Sequence, residues 1–205
     1  MISKKVIFLF FCALFITFHV SSQNISEGYW GIKAGPNFNK ISNIDLNTSM
    51  KAGFHAGLFA NFQISDKFSF QHELLYAMKG VSLELSNGEP YTKSFSFLDI
   101  PWMLNYHLSP NFYISGGVQP SVYMYFKQPM SDSIVYNKDN VNTIDFGYLV
   151  NATFLSSNNF GVGIRFTGSV FPTFDLNNFE GKNYVLQAYI MYAVNKRQGK
   201  AKRRR

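Results

Sequence analysis

Cysteine is almost absent: the 205 residues hold one, Cys12, inside an N-terminal apolar run. That excludes a disulfide framework and a cysteine-based zinc site. Charge is sparse, at 15% against roughly 25% in an ordinary soluble domain. Beyond the N-terminal run no stretch stays apolar for 18 residues, so no helix is expected to cross a bilayer. No glycine-rich phosphate loop sits in the strand–loop–helix context it would need. Aromatics are plentiful, with 22 Phe and 12 Tyr, which argues against a disordered chain. The length suits one domain, or at most two.

The formal net charge of +7 invites a nucleic-acid partner, but its location argues otherwise. Seven of the 19 cations lie between Asn195 and Arg205. With those and Lys4 and Lys5 set aside, ten cations face twelve anions. The basic character belongs to a tail, and no basic face is implied for the body.

Lys4 and Lys5 precede a 15-residue apolar run from Val6 to Val20, followed by Ser21 and Ser22. This is the form of a secretory signal, with cleavage expected near Ser22–Gln23. The run is short for a membrane anchor, which takes about 20 residues. A lipoprotein signal built on Cys12 is disfavoured by Phe11 before it. The expected organisation is a signal peptide over 1–22, a barrel domain over 23–194, and a disordered basic tail over 195–205.

Helical spacing is weak along the rest of the chain. Alternation of apolar and polar residues recurs instead, in eight segments of about ten residues, which is the period of a two-faced strand. Trp30-Gly31-Ile32-Lys33-Ala34 and Phe160-Gly161-Val162-Gly163-Ile164-Arg165-Phe166 show it plainly. The connections alternate in length. Short ones contain Ser65-Asp66, Ser109-Pro110-Asn111 and Ser156–Asn159, and long ones cover about 39–51, 80–93, 127–142 and 172–182. Short turns on one side and long loops on the other predict an all-β fold. It is an eight-stranded antiparallel up-and-down transmembrane β-barrel in the outer membrane, with short periplasmic turns and long extracellular loops.

The apolar phase carries an aromatic at the short-turn end of every segment: Trp30, Phe62, Phe68, Tyr106, Phe112, Phe154, Phe160 and Tyr192. A membrane-interface girdle predicts this, and a soluble barrel has no reason for it. Phe38, Phe54, Phe126, Phe146 and Tyr184 are candidates for the other rim. An exported soluble barrel with the phases inverted stays open as an alternative. His72 falls in the lipid phase, against the pattern. Pro36, Pro101 and Pro120 each remove a ladder donor inside a segment, and bulges at Pro101 and Pro120 are expected to absorb them.

Several segments together resemble a family. Tyr29–Phe38 (YWGIKAGPNF), Gly53–Phe59 (GFHAGLF), Phe68–Tyr76 with Lys79-Gly80, Leu98-Asp99-Ile100-Pro101, Gly161–Phe166 and Gln187–Tyr192 are similar, in that order, to strands of the PorT-type, or porin-family, outer-membrane β-barrel proteins. The resemblance runs over essentially the whole chain after the leader. It implies an outer-membrane location in a Gram-negative bacterium and an eight-stranded barrel, and says little about activity. Here a basic tail follows the last strand, where such barrels tend to end on an aromatic. Tyr192 is the candidate stand-in for recognition by the barrel-assembly machinery.

An eight-stranded barrel has an interior that side chains fill. The inward phase carries Lys33, Glu73, Asp99, Asp145 and Arg165 as the expected polar network. Pairing of the third and fourth segments is expected to set Glu73 near Asp99. Two such carboxylates need a cation, with Arg165 first and Lys33 second. The expectation is a structural plug, so no catalytic, cofactor or metal residues are assigned. His55 with Ser49 and Asp45 is the weak catalytic or metal candidate, and nothing in its spacing is diagnostic. His107 lies at the opposite end. The expected role is structural or interactive, or accessory to a secretion complex. The alternatives are a narrow channel and, third, a lipid-modifying enzyme. Expected partners are outer-membrane lipid, the assembly machinery and cell-envelope proteins, with no nucleic acid.

Overall fold

The computed structural model describes residues 28–42, 48–84, 90–124, 144–172, 174–176 and 179–194. The signal segment, Cys12, Asp45, Phe126 and the basic tail lie outside them. Among the described residues there are eleven strands: β1 (Gly28–Ser42), β2 (Thr48–Ser49), β3 (Lys51–Gln63), β4 (Phe68–Glu84), β5 (Pro90–Asp99), β6 (Trp102–Ser109), β7 (Phe112–Met124), β8 (Ile144–Leu155), β9 (Phe160–Ser169), β10 (Phe174–Leu176) and β11 (Phe179–Val194). Strands β5 and β6 are halves of one barrel strand. Both pair with β4 on one side and β7 on the other. Strands β2 and β10 are short additions paired to β4 and β11. The barrel therefore has eight antiparallel strands, closed by β1 pairing with β11.

Following the register once round from Tyr184 passes Gly168, Tyr148, Val118, Trp102, His72, Ala60 and Trp30, and returns to β11 at Val194. The stagger is ten residues, and for eight strands it sets the tilt at roughly 40°. Closure leaves the barrel no free edge, so each of its eight strands finds backbone partners on both sides.

The alternation sorts the side chains as their chemistry requires. The apolar phase lies outside, with Ile32, Leu58, Val150, Ile164 and Ile190 all more than half exposed. The polar phase lies inside, with Lys33, Glu73, Asp99 and Arg165 at 2% exposure or less. This is the reverse of a soluble barrel and disposes of the inverted arrangement.

The prolines are absorbed without bulges, against expectation. The β4 register against β5 continues unshifted against β6 across Pro101. The β7–β8 register runs unshifted through Pro120. Each proline lacks only its own N–H; its carbonyl still accepts, from Glu73 N at 3.0 Å for Pro101 and from Ile100 N at 2.8 Å for Pro120. Pro36 interrupts the β1–β11 ladder between Ala34 and Asn37 with no change of register. The β6–β7 register shifts once, between His107 and Ser109.

Two of the long connections are shorter than expected, because the ladders continue past the apolar band. Strands β4 and β5 stay paired out to Glu84 and Pro90, and β10 and β11 pair from Phe174 to Gly181. At the other end the turns are tight. Ile64 N reaches Phe68 O at 2.9 Å, and Ser156 N reaches Phe160 O at 2.8 Å. Asn159 takes a positive φ of 70°, which its short polar side chain tolerates.

Candidate functional site: the filled lumen and the two aromatic rims

Glu73 is the hub of the lumen. Strand alternation points it inward from β4, and three strands aim donors at it. Arg165 on β9 is bidentate, Nη1 to Oε2 and Nη2 to Oε1, both at 2.8 Å. Lys33 on β1 donates to Oε1 at 2.7 Å. Gln71, two residues back on β4, also donates to Oε1 at 2.7 Å. All of these groups are buried. Low dielectric strengthens the attraction and makes any unpaired member costly.

The expectation that Glu73 and Asp99 share a cation is corrected by the register. Asp99 stands opposite Leu75, two residues further along, and it recruits a different cation. Lys79 donates to Asp99 Oδ1 at 2.7 Å and Gln119 to Oδ2 at 3.1 Å. The two carboxylates thus carry separate cations and share none. Arg165 and Lys33, expected to serve both carboxylates, serve Glu73, and Lys79, also in the inward phase, serves Asp99. Asp145 is near the long-connection end of β8 and accepts from Ser169 Oγ at 2.8 Å.

Tyr189 is the residue that reasoning from sequence missed. Its hydroxyl lies 2.6 Å from both Asn151 Oδ1 and Thr153 Oγ1. Its ring face holds Lys33 Nζ at 3.7 Å from the centroid, with the Arg165 guanidinium at 6.0 Å. It reaches over β9 to β8 because Gly163 leaves room. The signal was present: an inward-phase aromatic on β11 opposite a glycine on β9. We expect Tyr189→Phe to cost about 1–3 kcal/mol by leaving the buried Asn151 Oδ1 without its donor, while Thr153 Oγ1 still accepts from Asn151 Nδ2, read by urea unfolding in lipid vesicles.

Towards the short turns the filling becomes apolar. Phe59, Tyr113, Leu155, Tyr189, Met191 and Ala193 form one cluster, with Tyr29 packed against it. At the mouth, Ser69 Oγ lies 2.9 Å from His107 Nε2 and accepts from Asn61 at 3.2 Å and Asn105 at 3.0 Å. A serine nucleophile needs an open line of approach, and Ser69 is fully buried. Its bonds tie β3, β4 and β6 together at that end.

His55 packs on the opposite side of this filling. Its Nδ1 is 2.6 Å from Asn37 Oδ1, an acceptor also used by Gln187 Nε2 at 3.1 Å. That bond puts the proton on Nδ1 and locks His55 into a side-chain network. Of its supposed partners, Asp45 lies outside the described residues. No group of three His, Cys, Asp or Glu side chains converges among the described residues.

The eight short-turn aromatics stand in the outward phase at one level. They meet across strands: Phe68 and Tyr106 at 5.3 Å, Phe160 and Tyr192 at 4.9 Å, with Phe112 in register with Phe154. Trp30, Phe68, Tyr106, Phe112, Phe154, Phe160 and Tyr192 are exposed and Phe62 is half-buried. A second aromatic follows eight residues away on five strands: Phe38, Phe54, Tyr76, Phe146 and Tyr184. Eight residues at ~3.3 Å each and ~40° of tilt rise about 20 Å, close to the apolar band of an outer-membrane barrel, about 25 Å. His72, in this band, is half-buried beside the Phe62 ring, 5.7 Å away.

A family model described as outer membrane protein beta-barrel domain matches residues 21–175. No curated protein matches the chain. Among solved structures, Neisserial surface protein A is similar at 14% identity and a TM-score of 0.51, over 82% of this chain and 99% of that one. OprG of Pseudomonas aeruginosa gives 12%, 0.49, 82% and 96%. Ail of Yersinia pestis, the attachment invasion locus protein, in complex with the heparin analogue sucrose octasulfate, gives 14%, 0.48, 82% and 99%. At these identities the likeness to Neisserial surface protein A is one of fold.

Proposed function

Because the chain belongs to the outer membrane protein beta-barrel domain family, we propose that it works as a plugged outer-membrane barrel: a structural or interaction protein, or an accessory of a secretion complex, whose partners dock on its extracellular face. The observation that carries this reading is the lumen itself. The Arg165–Glu73–Lys33 cluster fills its middle, and the apolar cluster around Tyr113 and Met191 fills the end next to the short turns. A lumen filled in this way favours binding through the loops over passage. Removal of residues 1–22 on export and placement near the PorT-type members belong to the same reading. The order of the strand motifs supports that placement.

Conductance in planar bilayers tests the plug. We expect no current from the wild type, and ion-scale steps only after Glu73, Arg165 and Tyr189 are all reduced to alanine. Steady wild-type conductance would replace this reading with the narrow channel. Crosslinking in intact cells, followed by capture of the barrel, tests the interactive role. Envelope or secretion proteins captured with the wild type, and lost when residues 128–140 are shortened, would support it.

A further inference from the structure

A groove of about 510 Å³ crosses the lipid-facing wall over β6 to β9 and β11. It exists because two small outward residues are neighbours on adjoining strands. Gly116 on β7 stands between Leu104 and Val150, and Ala152 on β8 stands between Ile114 and Ile164. A Cβ placed on Gly116 would meet nothing within 4 Å. Gly168, another outward glycine, is covered by the Tyr148 ring, whose atoms lie 2.6 Å from such a Cβ. The protein fills one notch with its own aromatic and leaves the other open.

The chemistry of the open notch is apolar. Of the polar residues that border it, Arg165 and Asn151 are committed inward, to Glu73 and to Ser115 and Thr153. Apart from the Tyr106 hydroxyl at its foot, no lining side chain offers a polar ligand a donor there. Its position is also defined. Gly116 is four residues from Phe112, and Ala152 is two from Phe154, so the deepest part lies in the half of the apolar band next to the periplasmic rim. Tyr106 stands at its foot.

We propose that this groove is a phospholipid-binding site, holding one acyl chain of a periplasmic-leaflet phospholipid against Gly116 and Ala152. A second copy of the chain fits less well. A two-fold contact sets the same patch against itself, and concave against concave leaves a void where a stable interface needs close packing over about 800 Å² per partner. A flexible hydrocarbon chain conforms to the hollow. The site goes beyond the reading of the lumen and does not depend on whether that lumen conducts.

The test is native mass spectrometry of the refolded barrel released from mixed micelles containing palmitoyl-oleoyl phosphatidylethanolamine. Gly116→Leu fills the notch with space to spare, and Ala152→Leu is the second variant should the first fail to fold. Ala60→Leu, on the outer face of β3, is the control. We expect one phospholipid retained by the wild type and by Ala60→Leu, and at least a tenfold loss of that species in the groove variants. Equal retention in all, or none in the wild type, would overturn the proposal. So would a lipid-free wild-type dimer that Gly116→Leu converts to monomer, which would make a second copy the occupant.

Discussion

Replacing Glu73 with leucine is expected to destabilise the barrel by about 3–5 kcal/mol. The carboxylate accepts four hydrogen bonds, two from Arg165, one from Lys33 and one from Gln71. Without it two buried cations lose the anion they share and keep the Tyr189 ring as a weak common neighbour. The cost comes from abandoned charge, and the worth of the network as a whole is a different quantity. Removing all three charges together, in Lys33→Met, Glu73→Leu and Arg165→Met, is therefore expected to recover most of the loss, since well-packed apolar replacements of a buried ion cluster are often neutral or stabilising. Urea unfolding in phospholipid vesicles measures both. Arg165→Met alone leaves Lys33 and Gln71 on the carboxylate and is expected to cost less than Glu73→Leu. A triple variant as unstable as Glu73→Leu would contradict an electrostatic origin and point to shape alone. Because the cluster is buried, the difference should change little with added salt.

Gly163→Val is expected to cost about 3 kcal/mol, the upper end for overpacking. A Cβ at this position would lie 2.3 Å from Tyr189 Oη and 2.4 Å from its Cζ. The ring cannot yield cheaply, because its hydroxyl is held by Asn151 and Thr153 and its face supports Lys33. The clash would propagate into the ion cluster. Combining Gly163→Val with Tyr189→Ala should cost clearly less than the sum of the two single changes, which a double-mutant cycle measures. Additive losses would mean that the glycine serves the backbone of β9 and leaves Tyr189 untouched.

Much of this architecture was legible in the sequence, because a barrel wall repeats one rule. Period-two alternation assigns each residue of a strand to lipid or lumen, and the structure follows it from Trp30 through Tyr192. The aromatic at the end of each segment marked one rim, and the other was read less regularly, from candidates such as Phe54 and Tyr184. Phase says which way a side chain points; it leaves open which partner that side chain meets across the lumen. Partnership depends on stagger, and a stagger of ten residues is a property of closure that no single segment carries. For that reason Asp99 has Lys79, where a cation shared with Glu73 was expected. Tyr189 and Gly163 escaped notice for the same reason: each is ordinary alone, and their meaning lies in being paired. The prolines misled in another way. A missing N–H suggested a bulge, but the ladder tolerates the loss where the proline carbonyl still accepts and the register is fixed from both sides.

The most direct test of a closed barrel with its apolar phase in lipid is heat-modifiable gel migration in washed outer-membrane fractions. The protein should stay with the membrane through a high-salt wash, and the unboiled sample should migrate faster than the boiled one. Release into the soluble periplasmic fraction, with one position boiled or unboiled, would contradict the assignment of inside and outside on which the lumen, the rims and the lipid groove all depend.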